Sequence, residues 1–202
     1  MTDLSSIFGP IDIYLFDQIL RGRIRPGMRI LDAGCGSGRN LVYLLQEGYE
    51  VHGADEDEHA ITSLRRVAAK LAPSLPAENF RAERIDALTF PDAFANVVIS
   101  NAVLHFARDD ADFEAMLLGS WGALSANGLL FCRLASSIGM EPRMRRIDGR
   151  RYSLPDGSDR YLVDEALLLE WTARLGGELV DPIKTTVVQD RRCMTTWVLR
   201  KR

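Results

Sequence analysis

The sequence predicts an α/β fold in which a sheet of mostly parallel strands carries a ligand site at the strand ends. Three observations support this. Ile30 and Leu31 read as the end of a buried strand, which runs into glycines at alternate positions, Gly34, Gly36 and Gly38. Apolar residues at helical spacing follow that loop, and a second short strand then ends in an acid, Asp55. Glycine has no Cβ, so this loop can turn sharply and approach a ligand closely.

The rest of the chain continues to alternate between strand-like and helix-like patterns. Residues 136–162 are the least regular stretch, and they separate the fifth predicted strand from the last predicted helix. Gln189–Arg192 joins the last two strands into a predicted terminal hairpin. Helices are predicted over residues 10–22, 39–47, 58–72, 109–124 and 165–175. Further strands are predicted over residues 50–55, 79–85, 129–134, 178–188 and 194–199, and one more lies within 92–106.

Length and composition predict one compact domain over residues 1–202. With 202 residues and 47% hydrophobic content, the chain can bury a sizeable core. The net charge of −3 does not favour general binding to nucleic acid or to anionic membranes. No apolar run is long enough to span a bilayer, and the first residues lack a signal pattern. The three cysteines form no CxxC pair, which predicts neither disulfides nor a metal site. We expect a cytoplasmic protein.

The spacing of the glycines distinguishes between nucleotide classes. A dinucleotide fingerprint, G-x-G-x-x-G, needs its third glycine where this chain has Arg39. The phosphate-loop pattern ending in Gly-Lys-Ser/Thr is absent from the sequence. An acid, Asp32, followed by G-x-G-x-G instead resembles the first motif of the class I S-adenosylmethionine (SAM) methyltransferases.

Further residues extend this resemblance. The run Gly-Cys-Gly-x-Gly-Arg-Asn-Leu-x-Tyr-Leu at 34–44, followed by Gly-Tyr-x-Val-x-x-x-Asp at 48–55, resembles small single-domain bacterial methyltransferases, including the tellurite-resistance type. The resemblance covers residues 28–135 by motif and the remainder by order of elements. It implies a three-layer sandwich with a mostly parallel seven-stranded sheet of order 3-2-1-4-5-7-6, the last strand antiparallel. It also implies SAM as the cofactor and S-adenosylhomocysteine (SAH) as the product.

Two acids are expected to hold the nucleoside. Asp55 follows Gly34 at the distance expected for a carboxylate that binds ribose hydroxyls, with Glu56 as a second contact. Asp57 is better placed to cap the next helix. In the resembled class, an acid beyond the third strand accepts from the adenine amino group, and the next N–H binds a ring nitrogen, which points to Asp86 and Ala87. The alternative interpretation is a solvated acid at Asp55 and a turn aspartate at Asp86.

The exit of the fourth strand supplies the remaining polar candidates. Ser100, Asn101 and His105 should face the pocket, because ligands of open α/β sheets bind beyond the carboxyl ends of the strands. His105 is a candidate general base, and the alternative is a packed histidine with one local partner. Asn96 departs from the Asp-x-Phe-Asp pattern of the class, and the absence of Asn-Pro-Pro-Tyr counts against base methylation. The predicted cofactor-binding residues are Asp32, Gly34, Cys35, Gly36, Asn40, Asp55, Glu56, Asp86, Ala87, Ser100, Asn101 and Tyr14.

Two flanking segments are expected to recognise the substrate. Residues 1–27 would form an N-terminal helical cap in which Tyr14 covers bound SAM, unless this helix only packs on the sheet. Residues 136–162 form a predicted lid rich in arginine. Arg133, Arg143 and Arg146 are the candidates for holding an anionic substrate, against the alternative of a solvated basic patch.

These features predict a methyltransferase that acts on a small-molecule acceptor, with anionic metabolites among the expected substrates. Transfer would follow direct in-line SN2 displacement, which needs chiefly orientation. The alternatives are an NAD(P)-dependent oxidoreductase and a non-catalytic SAM-binding regulatory subunit. No nucleic-acid or membrane partner is expected, and the chain is expected to be a monomer or a homodimer.

Overall fold

The computed structural model describes residues 3–202 as alternating helices and strands. Among these residues no helix is both long and apolar enough to cross a bilayer. The helices are α1 (Leu4–Phe8), α2 (Ile13–Leu20), α3 (Val42–Gln46), α4 (Glu58–Leu71), α5 (Asp110–Ala123) and α6 (Glu165–Arg174). The strands are β1 (Arg29–Ala33), β2 (Glu50–Asp55), β3 (Phe80–Ala82), β4 (Ala95–Asn101), β5 (Leu124–Ala135), β6 (Arg145–Asp148), β7 (Arg151–Ser153), β8 (Asp159–Tyr161), β9 (Gly177–Leu179), β10 (Lys184–Val188) and β11 (Arg192–Lys201).

The main sheet has the strand order of a class I methyltransferase. Its order is β10-β11-β5-β4-β1-β2-β3, and β1 to β5 are parallel. β11 is antiparallel to β5, and β10 forms a hairpin with β11. Counting β10 and β11 as strands six and seven, the order is 3-2-1-4-5-7-6, so the predicted fold is confirmed.

The sheet is the middle of three layers, because its strands are apolar on both faces. Along β4, Val97 and Ile99 pack towards α2, α3 and α4, whereas Val98 packs towards α5 and α6. All three side chains are fully buried. Burial on both faces is typical of parallel strands, which read as continuous apolar runs.

The predicted stretch 178–188 is interrupted, which gives the sheet an eighth strand. β9 pairs with the end of β11, and β10 pairs with its beginning. Between them lies Pro182, which has no N–H for a strand ladder. The adjacent Asp181 is turned to α2, where its carboxylate accepts from Arg23 at 2.6 Å and from Gln18 at 3.1 Å.

Several predicted boundaries need correction. The helix after the glycine loop begins at Val42 rather than at residue 39, since residues 38–41 form a turn closed by the Leu41 N–H on the Gly38 carbonyl. The third strand covers only three residues of the predicted 79–85, and residues 85–87 form a 3₁₀ turn. The turn predicted near residue 127 is a bulge within β5, where Asn127 has a φ of 61°.

The segment 136–162 is more regular than predicted. It contains β6, β7 and β8, which form a separate antiparallel sheet. Tyr161 anchors this small sheet to the body of the protein, because its ring stacks on Phe113 and its hydroxyl donates to Asp110 at 2.8 Å. Arg150 adds an ion pair of 2.9 Å to Asp164, the residue that caps α6.

Candidate functional site

The glycine loop joins β1 to the carboxyl end of β2. The N–H groups of Gly34 and Cys35 both donate to the Ala54 carbonyl, at 2.8 and 3.0 Å. The Gly36 N–H donates to Asp55 Oδ2 at 2.8 Å, and the Asp57 N–H donates to Asp55 Oδ1 at 3.0 Å. Asp55 therefore fixes the loop as well as facing the cleft beside it. Asp57 caps α4 through the N–H of His59, which confirms its predicted role.

Gly34 cannot be replaced without a steric conflict. Its φ is +89°, a backbone conformation that residues other than glycine rarely adopt. A Cβ at this position would lie 2.4 Å from Val103 Cγ2. At Gly36, by contrast, a Cβ would meet no atom within 4 Å, because that position opens onto the cleft. The first glycine thus serves close packing, and the second leaves space for a ligand.

A cleft of about 620 Å³ lies over this loop, and we call it the glycine-loop cleft. Its volume is within the roughly 300–1,000 Å³ range of small-molecule and cofactor sites. Its lining includes the three acids predicted to bind the nucleoside together with several apolar side chains. Its lining residues are Gly34, Gly36, Asp55, Glu56, Arg84, Ile85, Asp86, Ala102, Val103, Phe106, Arg108, Asp112 and Met116.

Two arginines that the sequence analysis did not single out hold the acids of this cleft. Arg84 binds both carboxylate oxygens of Asp86, at 2.9 and 3.1 Å, and also reaches Glu56 at 3.2 Å. Arg108 donates to both oxygens of Asp112, at 3.0 and 2.8 Å. The hydrogen bonds from Arg108 lower the pKa of Asp112 to about 2. Asp112 is therefore an ionised acceptor across the neutral pH range.

A second cleft of about 320 Å³ adjoins the first, and we call it the arginine cleft. Ala102 and Phe106 line both clefts. Ala102 has a φ of +64°, which is uncommon for alanine, and its N–H is held by the Arg133 carbonyl at 2.7 Å. The arginine cleft is lined by Arg39, Ala102, His105, Phe106, Arg133, Ala135, Leu154, Asp156, Ser158, Arg160, Val188, Arg192 and Met194.

The side chain of Arg133 is fixed by the N-terminal helices. It forms an ion pair of 2.9 Å with Asp12, the residue that caps α2. Its guanidinium lies 5.2 Å from the ring centre of Tyr14, whose hydroxyl is 2.8 Å from that of Thr186. The Asp12 N–H in turn donates to Asn40 Oδ1 at 3.1 Å. Tyr14 and Asn40 thus belong to a network behind Arg133 and line neither cleft.

His105 is a buried neutral histidine. Its Nδ1 accepts from the Ala135 N–H at 3.1 Å, so the ring proton of the neutral form lies on Nε2. Burial, and to a lesser extent the charge of Arg160, lowers the pKa of His105 to about 4. A general base works best when its pKa is near the working pH and its lone pair is free. This arrangement favours a hydrogen-bond donor over the base that the sequence suggested.

The remaining predicted site residues fall into two groups. Among the cofactor candidates, Gly34, Gly36, Asp55, Glu56 and Asp86 line the glycine-loop cleft. Neither cleft is lined by Asp32, Cys35, Asn40, Ala87, Ser100, Asn101 or Tyr14. The Ala87 N–H is already bound to the Arg84 carbonyl at 3.1 Å, and Asn101 Oδ1 accepts from Arg39 at 3.2 Å.

Of the three predicted substrate arginines, Arg133 lines the arginine cleft, whereas Arg143 and Arg146 line neither of the two clefts described above. Arg143 is paired with Asp190, and Arg146 donates to the Gly149 carbonyl at 2.7 Å on the exposed side of β6. The arginines that accompany Arg133 are Arg39, Arg160 and Arg192, which sequence spacing does not group.

Asp32 is a buried carboxylate without a partner among the described residues. It is 1% exposed, and neither oxygen accepts a hydrogen bond. Burial raises the pKa of Asp32 to about 7, against the opposing charge of Arg39. The folded state therefore binds this proton more tightly than the unfolded state does. The free energy of unfolding therefore decreases as the pH rises from about 4 to 7, because Asp32 loses its proton in the unfolded state first.

We predict that Asp32→Asn removes this pH dependence. In urea unfolding of the ligand-free protein, the loss of unfolding free energy between pH 5 and pH 8 should be smaller by about 2–3 kcal/mol than in the wild type. Asp57→Asn, on the surface, is the matched control and should leave the slope unchanged. Equal slopes for Asp32→Asn and the wild type would contradict the prediction.

Comparison with known proteins identifies the domain. Residues 30–128 match the family model of a methyltransferase domain. This chain carries a methyltransferase domain. The match runs from β1 to the bulge in β5 and so includes the glycine loop.

A curated relative, the S-adenosyl-L-methionine-dependent Diels-Alderase iccD of Talaromyces variabilis, is 40% identical over 60 residues, 30% of this chain. The matched segment spans only 20% of that protein's length.

Solved structures of methyltransferases share the fold. The 1,6-didemethyltoxoflavin-N1-methyltransferase of Burkholderia thailandensis, with SAH bound, has a TM-score of 0.72 at 19% identity, over 98% of this chain and 81% of that one. The magnesium protoporphyrin IX methyltransferase of Synechocystis, with SAM bound, has a TM-score of 0.68 at 17% identity, over 94% and 77%. These likenesses show that this chain shares the fold of these enzymes.

Proposed function

We propose that this protein transfers a methyl group from SAM, held in the glycine-loop cleft, to a small organic anion held in the arginine cleft. The observation that carries the proposal is the contact between a cofactor-sized cleft and a smaller cationic one. Phe106 and Ala102 form their shared wall. A donor in the first cleft and an acceptor in the second would therefore meet across one boundary.

The residues of the glycine-loop cleft suit the parts of SAM. Asp55 and Glu56 would accept from the ribose hydroxyls, as carboxylates at the end of a second strand do. Ile85 and Met116 offer apolar surface to the adenine ring, with Asp86 beside them as an acceptor for its amino group. The open space at Gly36 allows the backbone to approach the ligand.

When bound, SAM supplies a sulfonium methyl group that is already activated for in-line displacement. The protein then has mainly to orient two reactants, and orientation can contribute about 7–11 kcal/mol in favourable cases. Arg133 is suited to this task, because Asp12 and Tyr14 hold its guanidinium in place before any ligand arrives. A fixed arginine positions an anion at little further entropic cost.

Charge indicates the class of acceptor. Four arginines line the arginine cleft, and Asp156 is the one acid among its lining residues. Arginine forms paired hydrogen bonds with carboxylate and phosphate groups, so this surplus favours an anionic ligand. The cleft volume of about 320 Å³ limits the ligand to a small molecule.

Release of SAH tests this proposal. The purified protein with SAM should form SAH when supplied with a panel of small organic acids, and Arg133→Gln should raise the KM for an active acid at least tenfold. Arg143→Gln is the matched control, because Arg143 lines neither cleft, and its KM should be unchanged. Equal KM values for the two variants would count against the arginine cleft as the acceptor site.

A SAM-dependent cycloaddition is the second candidate. The specific observation in its favour is the 40% identity over 60 residues with a SAM-dependent Diels-Alderase. The two functions differ in their products. Methyl transfer forms SAH in step with a product heavier by one methylene unit, whereas a cycloaddition within one molecule leaves the mass unchanged.

A further inference from the structure

The arginine cleft places a neutral histidine and several arginines around its ligand space, and none of these groups can readily accept a proton. Nδ1 of His105 is occupied by the Ala135 N–H, at 3.1 Å. Nε2 therefore carries the proton, and it has no partner among residues 3–202. His105 consequently offers the cleft a donor and no free lone pair.

Among the described residues that line this cleft, the one carboxylate is also a poor base. Asp156 Oδ1 accepts from both the N–H and the hydroxyl of Ser158, at 3.0 and 2.6 Å. Burial raises its pKa, but the Ser158 hydrogen bonds and the charges of Arg160 and Arg192 outweigh this, so that the pKa of Asp156 lies below its usual value. Such a carboxylate holds a proton weakly at neutral pH, and arginine side chains do not release theirs.

We infer that the methylated atom of the acceptor is an oxygen that is already anionic when it binds, and that His105 holds this group through its Nε2–H. This inference rests on the proposed function. The ligand chemistry is a deprotonated organic acid, whether its oxygen belongs to a carboxylate or to an acidic enol. A lone pair of that oxygen forms the new O–CH₃ bond while the C–S bond breaks and its electron pair stays on sulfur. No proton is released, so the protein needs no base.

The charges around the cleft are consistent with this chemistry. Arg39 approaches from the glycine loop, Arg133 from β5, Arg160 from β8 and Arg192 from β11, and Asp156 lies next to Arg160 and Arg192. Arg160 also lies 4.7 Å from the ring centre of Phe106, on the wall shared by the two clefts. A carboxylate or enolate is thus surrounded by cationic hydrogen-bond donors.

Binding to the SAH complex tests the inference, with benzoate and benzamide as matched probes. Benzoate is expected to bind at least tenfold more tightly than benzamide. His105→Phe should weaken benzoate binding at least tenfold, and His105→Gln, which retains an N–H donor, should restore most of it. The control His59→Gln, on the exposed surface of α4, should change nothing. Equal affinities for the two probes, or no binding of either, would overturn the inference. Failure of SAH itself to bind would instead reject the proposed function.

Proton counting tests the chemical step. With SAM and each acid of the panel in lightly buffered solution, no proton should be released per SAH formed, and kcat/KM should stay level between pH 6 and pH 9. Alkali should hydrolyse the product if the acceptor is a carboxylate and leave it intact if the acceptor is an enol. One proton per SAH, or methylation of neutral amines and alcohols while the acids stay inert, would overturn the inference and leave methyl transfer standing.

Discussion

Gly34→Ala is expected to abolish SAM binding and to lower the free energy of unfolding by about 2–5 kcal/mol. Two effects combine. At a φ of +89° an alanine is strained by about 1–2 kcal/mol. Its Cβ would also lie 2.4 and 2.7 Å from the two Cγ atoms of Val103, and such overpacking typically costs about 1–3 kcal/mol. Val103 lines the glycine-loop cleft, so its displacement alters the binding surface directly.

Two further variants separate these effects. Gly149→Ala has a positive φ of 48° and no atom within 4 Å of the added Cβ, so it should show only the backbone strain of about 1 kcal/mol. Combining Gly34→Ala with Val103→Ala removes the steric overlap and should recover part of the lost stability. Unfolding in urea measures all of these variants. Equal losses for Gly34→Ala and Gly149→Ala would refute the close-packing role of Gly34.

Asp55→Ala is expected to lower the affinity for SAM at least 100-fold, which corresponds to about 2.7 kcal/mol. Two losses explain this magnitude. The carboxylate would no longer accept from the ribose hydroxyls, and hydrogen bonds to charged groups contribute about 1.5–3 kcal/mol each. Asp55 also accepts from the Gly36 N–H at 2.8 Å, so the glycine loop would lose its anchor. Calorimetric titration with SAM measures the change.

Asp57→Ala is the matched control for this substitution. Asp57 caps α4, and the loss of such a cap costs about 1 kcal/mol of stability. Its carboxylate lines neither cleft, so the affinity for SAM should not change. If the two alanine variants bind SAM equally well, Asp55 does not hold the ribose.

The sequence anticipated the parts of the fold that depend on local patterns. Asp57 predicts where α4 begins, and Pro73 predicts that it ends shortly before that residue. The continuous apolar run of β4 predicts a buried strand. Strand order is different, because pairing between distant strands leaves no local signal. The order 3-2-1-4-5-7-6 came from the resemblance of the glycine motif to a known class.

The structure differs from the sequence prediction where contacts between distant parts of the chain determine the conformation. The small sheet of residues 145–161 is exposed along β6, so it has no buried apolar alternation from which to predict a strand. Its position depends on Tyr161, which stacks on Phe113 of α5. The break between β9 and β10 depends on Asp181 being drawn towards α2, in addition to the proline beside it.

In the candidate site, too, the residues of one local motif could be predicted, and the residues brought together by tertiary contacts could not. Gly34, Gly36 and Asp55 lie in one motif, and all three line the glycine-loop cleft. The arginine cleft is assembled from the glycine loop, β5, the small sheet and β11, so no spacing in the sequence links its arginines. The one available signal was Arg39, which stands where a dinucleotide fingerprint has its third glycine.

Calorimetric titration of the wild-type protein with SAM, SAH and NAD determines whether the glycine-loop cleft is a SAM site. SAM and SAH should each bind at one site per chain, and NAD should not compete with them. Binding of NAD in preference to SAM would contradict the methyltransferase interpretation and favour an oxidoreductase.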